Sequence, residues 1–188
     1  MAVLAFATGL AGTFLAATAE KASGLTPNSP EVQAAVDKGI AFLESDAAVD
    51  SGDRLGAIAL QGYSLLCHGA DPSHIKVVAA AAKLQKAMGN RDLSKVAGPE
   101  WTNVWDVYST GLSIIFLVKL DPKKYHSDIE FLLAYLRKRQ KPHGGWGYAE
   151  RDTGDTSMTQ YGVLSSYVAK KAGFRVPDES IDAVPVGS

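Results

Sequence analysis

The chain has 188 residues, a formal net charge of −1 at pH 7 and a single cysteine, Cys67. With 46% hydrophobic and 21% charged residues, its composition is that of a globular domain with its own core. The balanced charge excludes a strongly basic surface, so we expect no nucleic-acid partner. One cysteine excludes both an intrachain disulfide and a cysteine-rich zinc site.

An uncharged apolar stretch opens the chain at residues 1–19 and ends in Ala17-Thr18-Ala19. A small-x-small site after such a stretch is typical of a secretory signal peptide. We therefore expect cleavage before Glu20 and export, to the periplasm or outside a bacterial-like cell. The alternative is an uncleaved membrane anchor, because the stretch is close to the ~18 residues that read as a membrane span. Residues 20–30 follow as a polar linker.

From residue 31 nearly to the end, apolar residues recur at helical spacing, without a persuasive strand alternation. This pattern predicts an all-α fold over residues 31–183, followed by a tail at 184–188. Six main helices are expected, with the start of a seventh at 178–183. The six spans are 31–46, 53–69, 73–89, 103–119, 124–140 and 155–172. Cys67 falls late in the second span, where we expect a buried, inert thiol.

The helices repeat at a period near 50 residues. Asp53, Asp106 and Asp155 each precede an apolar helix, at spacings of 53 and 49 residues, and a proline stop follows each helix. Such a period is typical of stacked helical hairpins, so we expect three hairpins. The aspartates are expected to cap helix N-termini, where carboxylates accept hydrogen bonds from free backbone amides.

A glycine-aromatic turn follows the fifth predicted helix. Gln140 is followed by Gly144-Gly145, which permit a tight reversal, and then by Trp146 and Tyr148. These two aromatic side chains need burial with their polar tips satisfied. The sequence therefore predicts a structured turn that joins two helices.

This turn, with the G-D-T-S run after it and the stretch Trp105-Asp106-Val107-Tyr108, resembles the repeats of the prenyltransferase and squalene cyclase superfamily. The resemblance covers about residues 28–183. It implies part of an α/α toroid, with the Gln140 amide bonded to a helix terminus and Trp146 stacked at the turn. Enzymes of that superfamily close a full ring, and this chain supplies about half of one. The resemblance thus implies self-association or a missing second half of the toroid.

The catalytic and zinc-binding residues of that superfamily have poor counterparts in this chain. Its cyclases protonate a polyene with the middle acid of an Asp-x-Asp-Asp-Thr motif, and Gly154 stands at that position in the stretch 152–156. Its prenyltransferases bind zinc through Asp-x-Cys, and Ser157 stands where the thiolate should be. Neutral serine is a poor zinc ligand. We therefore expect no catalytic residue, no metal and no cofactor. The four histidines show no ligand-like spacing and are expected at the surface or at helix ends: His68, His74, His126 and His143.

Two classes of function stay open. The first is an exported, non-catalytic binding or assembly protein. The alternative is an isoprenoid enzyme, or a fragment of one, favoured if the aromatic residues line a cavity that binds a hydrophobic small molecule; a polysaccharide-acting enzyme rests on fold analogy alone. The aromatic residues in question are Trp101, Trp105, Tyr108, Phe116 and Trp146, and their other interpretation is core packing. The candidate cavity or motif residues are Trp105, Asp106, Tyr108, Gln140, Trp146, Tyr148 and Asp155.

We expect the terminal helices to be too apolar for full exposure to solvent. An arc of hairpins leaves a face uncovered at each end, and exposed apolar patches usually mark interfaces. The apolar residues concerned are Ala34, Ile40, Phe42 and Leu43 in the first helix, and Met158, Tyr161, Val163, Leu164 and Tyr167 in the last. We expect a partner, or a second copy, to cover these faces.

Overall fold

The computed structural model describes residues 24–45, 54–89, 91–92, 105–178 and 181. Over these residues the regular elements are six α-helices, which confirms the predicted all-α fold. Each helix lies within a few residues of its predicted span. Their bounds are α1 Pro30–Glu44, α2 Leu55–Cys67, α3 Ile75–Met88, α4 Val107–Leu120, α5 His126–Arg139 and α6 Thr156–Lys171. The expected signal peptide, Asp53, Trp101 and most of the expected seventh helix lie outside the described residues.

Three helices, α2, α4 and α6, form a row of parallel neighbours. The backbone amide of Gly56, near the start of α2, donates to Ser109 Oγ near the start of α4 at 3.2 Å. Tyr108, also near the start of α4, has its hydroxyl 2.6 Å from Ser157 Oγ at the start of α6. Because N-terminal turns meet N-terminal turns, all three helices run in the same direction.

A second layer, formed by α3 and α5, packs on this row. α3 returns antiparallel on α2 after a tight turn in which Gly69 has a φ of 95°. α5 likewise packs on α4, which precedes it in the chain. Two of the three expected hairpins are therefore present. A third hairpin is not formed among the described helices, because α1 packs mainly against α2 and α6 mainly against α4.

Glycines let the row of helices pack closely. A Cβ added at Gly62 would lie 2.6 Å from the ring of Phe116, and one at Gly111 would lie 3.1 Å from the carbonyl oxygen of Tyr161. The first distance is shorter than real Cβ contacts and the second is tighter than most of them, so glycine favours this close packing. The backbones of α2, α4 and α6 are thereby brought close enough for their N-terminal turns to share one site.

The core is centred on α4, which lies between α2 and α6 and against α5. Its buried side chains include Ile114, Phe116 and Leu117, all with no exposed surface. By contrast, α1 contributes no buried residue and packs mainly against α2. The structure is therefore densest in its middle and most open at its ends.

Candidate functional site

Trp146 connects the end of α5 to the start of α6. Its indole N–H donates to the Leu136 carbonyl oxygen at 2.9 Å, which satisfies a carbonyl of the last turn of α5. Its backbone amide donates to Thr159 Oγ1 at 3.0 Å, and the same hydroxyl donates back to the Trp146 carbonyl oxygen at 3.1 Å. The buried ring lies on Gly162 of α6, where a Cβ would approach to 2.6 Å. One residue thus fixes the geometry of two helices.

Gln140 and the glycine pair close the turn itself. The side-chain amide of Gln140 donates to the Gly144 carbonyl oxygen at 2.6 Å. Gly144 has a φ of 88°, a left-handed conformation that glycine adopts without strain. The backbone amide of Lys141 donates to the Gly145 carbonyl oxygen at 2.9 Å. The predicted structured turn is therefore present, and Gln140 stabilises it from within.

Asp106 and Asp155 cap α4 and α6, as the sequence predicts. The Asp106 carboxylate accepts from the Ser109 amide at 2.6 Å, and the Asp155 carboxylate accepts from the Met158 amide at 2.8 Å. The cap of α2 differs, because its N-cap residue is Arg54, which makes no side-chain capping bond.

Asp155 belongs to a small polar cluster with Ser157 and Tyr108. Ser157 Oγ donates to the Asp155 carboxylate at 2.6 Å, and the Tyr108 hydroxyl lies 3.5 Å from it. The hydrogen bond from Ser157, followed by that from the Met158 amide, lowers the pKa of Asp155 below its ordinary value. This carboxyl group is therefore held in its charged form.

A cavity of about 870 Å³ opens beside these N-terminal turns. Of the seven candidate residues, Asp106, Tyr108 and Tyr148 line it. Sequence reasoning missed three charged residues that also line it: Arg54, Arg139 and Glu150. They come from three separate parts of the chain, so no local motif could have revealed them. With charges of both signs and two tyrosines, the cavity suits a ligand that has polar and apolar parts.

The other aromatic candidates are part of the core. Trp105, Phe116 and Trp146 are almost completely buried, and Trp105 also accepts a hydrogen bond from the Tyr135 hydroxyl through its carbonyl oxygen. The core interpretation of these three aromatics is therefore the one that the structure supports. Tyr108 alone of the described set reaches the cavity.

The histidines lie at separate helix ends and turns. His68 faces Asp37 at 3.7 Å, His74 caps α3, and His126 begins α5. His143 is exposed in the turn before Gly144. Over the described ranges, no group of three or more His, Cys, Asp or Glu side chains could together hold a metal ion.

The prediction of a buried thiol is wrong, because Cys67 is exposed. It ends α2 on the side that α1 covers only in part, and the helical pattern alone could not show how loosely α1 packs. A hydrogen bond with Cys67 raises the pKa of Tyr63, one turn earlier. The thiol thus lies on an open apolar surface rather than in the core.

Comparison with known proteins gives no relative: no family model, no curated protein and no solved structure matches this chain. In the part of the chain that is described, no helix combines the length and apolar character needed to cross a membrane.

Proposed function

We propose that this chain is a non-catalytic binding or assembly protein, built on the α/α-toroid repeat of the prenyltransferase and squalene cyclase superfamily. The main observation in support of the proposal is the charged state of the Asp155 carboxylate. Asp155 caps α6 as a charged carboxylate, whereas a general acid must keep its proton. The repeat architecture is retained while the chemistry is not.

The repeat register supports the toroid part of the proposal. Two residues of α4, Leu112 and Phe116, face α2. The positions 49 residues later are Tyr161 and Ser165 of α6, and both face α4. Equivalent positions thus make equivalent contacts in successive units. This is the relation expected when an array of inner helices curves into a ring.

The position of the cyclase acid is occupied by Gly154, which has no carboxyl group. A Cβ at Gly154 would lie 2.9 Å from the His143 ring, so a larger side chain would have to displace that ring. The nearest alternative, Asp152, is exposed in the turn. Neither position provides a buried, protonated carboxyl group.

The residues at the expected zinc position do not fit zinc. Ser157 presents a neutral hydroxyl, and that hydroxyl is engaged by Asp155 and Tyr108. Zinc sites use thiolate, imidazole or carboxylate ligands in a tetrahedral set. Ser157 therefore does not replace the thiolate that a zinc site at this position would need.

A second candidate function is favoured by the cavity. Tyr108 and Tyr148 line it. Tyrosine faces attract cations such as those formed from isoprenoids, and the Tyr148 ring already holds one cation, the Arg151 guanidinium, 5.4 Å from its centroid. The second candidate is thus an isoprenoid-binding protein or enzyme. Binding of a prenylated ammonium compound that weakens at least tenfold in Tyr148→Ala would favour it over an assembly role.

Incubation of the purified chain with squalene and with a polyprenyl diphosphate tests the absence of catalysis. We expect no product by mass spectrometry, both with and without added zinc. Asp155→Asn is the matched variant, because it keeps an acceptor at the cap and removes the carboxyl group. Turnover by the natural chain that disappears in Asp155→Asn would contradict the proposal.

Export is part of the same proposal and rests on residues 1–19. Expression of the full chain in a bacterial host should give secreted or periplasmic protein that begins at Glu20, as measured by intact mass. Protein retained in the membrane fraction with residues 1–19 attached would instead support the anchor.

A further inference from the structure

The row of helices exposes an apolar surface at each end. At one end, the α1 groove is formed by Val36, Ile40, Phe42 and Leu43 of α1 with Leu60 and Tyr63 of α2, and it encloses about 590 Å³. At the other end, the α6 face is formed by Gln160, Val163, Leu164 and Tyr167, beside a groove of about 740 Å³. The exposed fraction of Phe42 is 56% and that of Tyr167 is 51%.

The repeat register explains what the α6 face is shaped to hold. In α4, Tyr108 and Gly111 face α6, and the same side of the helix continues through Ile115 and Val118. The position equivalent to Tyr108 is Ser157, whose hydroxyl contacts Tyr108 of α4. The positions equivalent to the other three residues, 49 residues later in α6, are Gln160, Leu164 and Tyr167, all of which are exposed. The open side of α6 is thus the counterpart of the surface with which α4 holds its next parallel helix.

At the other end of the row, beside the α1 groove, α2 can serve as this next helix. α2 packs on α4 through Gly56 and Gly62, and its residues Leu60 and Tyr63 line the α1 groove. There α1 covers α2 only in part, since Leu60 is 47% exposed. α2 therefore has exposed surface on which a further parallel helix could pack.

Charge is complementary between the two ends. Across Pro30–Glu44, α1 carries the acids Glu31, Asp37 and Glu44 against one base, Lys38. α6 carries no acid, and its last turn has Lys171 and also Lys170, which pairs with Asp178 of the same chain. If a second α6 ran parallel to α2, its last turn would lie near the end of α2, where Asp37 faces His68 at 3.7 Å. Asp37 is 65% exposed, so it is accessible to a lysine.

We propose that the α6 face of one copy docks on the α1 groove of a second copy, so that the row of parallel helices continues from chain to chain. The contact is head-to-tail, and two such contacts close a ring of two copies. This inference deepens the assembly role proposed above by naming its partner. Apolar burial of Phe42, Leu164 and Tyr167 supplies affinity, and the Asp37–Lys171 pairing fixes the direction.

Sedimentation velocity of the natural chain over a range of concentrations tests the proposal, and we expect a dimer. The head variant combines Phe42→Gln with Leu60→Gln in the α1 groove. The tail variant combines Leu164→Gln with Tyr167→Gln on the α6 face. Each variant should be a monomer, with association weakened at least tenfold. Ile75→Gln is the matched control, because Ile75 is 79% exposed but lies on neither surface. Circular dichroism should show all the variants equally helical.

Mixing the two variants gives the sharper test. Each retains one intact surface, so a head-to-tail contact predicts a 1:1 mixed dimer. This dimer should dissociate more readily than the natural one, because it has one contact instead of two. A face-to-face contact predicts instead that one variant still dimerises alone.

Charge reversal tests the direction of the contact. Asp37→Lys and Lys171→Glu should each weaken association several-fold, and an equal mixture of the two should restore it, because both contacts in a mixed ring then pair opposite charges. A natural chain that stays monomeric would overturn the proposal, whether another protein or another segment of this chain covers the two surfaces. That outcome would leave the absence of catalysis untouched, and turnover of an isoprenoid would leave the dimer untouched.

Discussion

Gly162 and Trp146 are fitted to one another, since the indole ring occupies the space that a side chain on α6 would need. A Cβ at position 162 would lie 2.6 Å from two ring atoms, and the ring is fixed by its hydrogen bond to Leu136. Gly162→Ala should therefore lower the free energy of unfolding by about 1–3 kcal/mol, the usual cost of overpacking a core. Urea denaturation at a concentration too low for association measures the change.

Gly39→Ala is the control for this substitution. Gly39 also lies within a helix, but nothing lies within 4 Å of a Cβ added there. Alanine is the better helix former, so Gly39→Ala should leave the protein unchanged or slightly more stable. Equal destabilisation by both substitutions would contradict the role assigned to the Trp146 ring.

Asp155 makes stability depend on pH in a predictable direction. Its pKa in the folded chain is lowered from the ordinary 3.8 by the hydrogen bonds from Ser157 and the Met158 amide. The stabilisation is therefore fully present above pH 3.8 and is lost as the pH falls through the lower folded pKa. The natural chain should be more stable than Asp155→Asn near neutral pH, and the difference should vanish in strong acid.

Thermal unfolding of both chains from pH 7 down to pH 2.5 measures this difference. Asp71 also has a lowered pKa, because of its hydrogen bonds with Ser73, but it is common to both chains and cancels in the comparison. A difference that grows as the pH falls would show that Asp155 is not a charged cap.

Between elements, the second layer is joined by one buried carboxylate. Asp128 of α5 is 2% exposed; it accepts from Arg91 Nε at 2.8 Å and from Gln85 Nε2 of α3 at 2.8 Å. Arg91→Ala should lower the free energy of unfolding by about 1–3 kcal/mol, because it removes a charged partner from a buried group. Asp128→Asn should cost less in the Arg91→Ala background than alone, and a double-mutant cycle measures this coupling. Additive effects would show that the pair contributes nothing specific.

Periodicity and capping were enough to predict the six helices and the caps at Asp106 and Asp155, because both signals are local. The contacts of Asp128 and the exposure of Cys67 were not predictable in this way. Asp128 is one charge in a polar first turn, and its partners come from α3, which carries Gln85, and from the segment after α3, which carries Arg91. Cys67 has an apolar helical context, but its burial depends on how closely α1 approaches.

The cavity at the start of the parallel row was predictable only in part. Asp106 and Tyr108 belong to a recognisable repeat start, and Tyr148 to the turn, so sequence reasoning found them. Arg54 and Arg139 reach the same cavity only because two other helix ends meet there. Long-range placement of this kind has no signal in local spacing.

At the scale of the whole molecule, the graded packing from centre to ends should appear as graded hydrogen exchange. Amides of α4, in the middle of the core, should exchange only through global unfolding, whereas those of α1, which buries no side chain, should exchange through local opening at far lower free energy. At low protein concentration we therefore expect α1 to be the least protected helix. As the concentration rises, a second copy seated on the α1 groove should slow exchange in α1 and α6 while leaving α3 unchanged. Exchange measured by mass spectrometry at two concentrations tests both expectations. Protection of α1 equal to that of α4 in the monomer would show that other residues of the same chain already cover the groove.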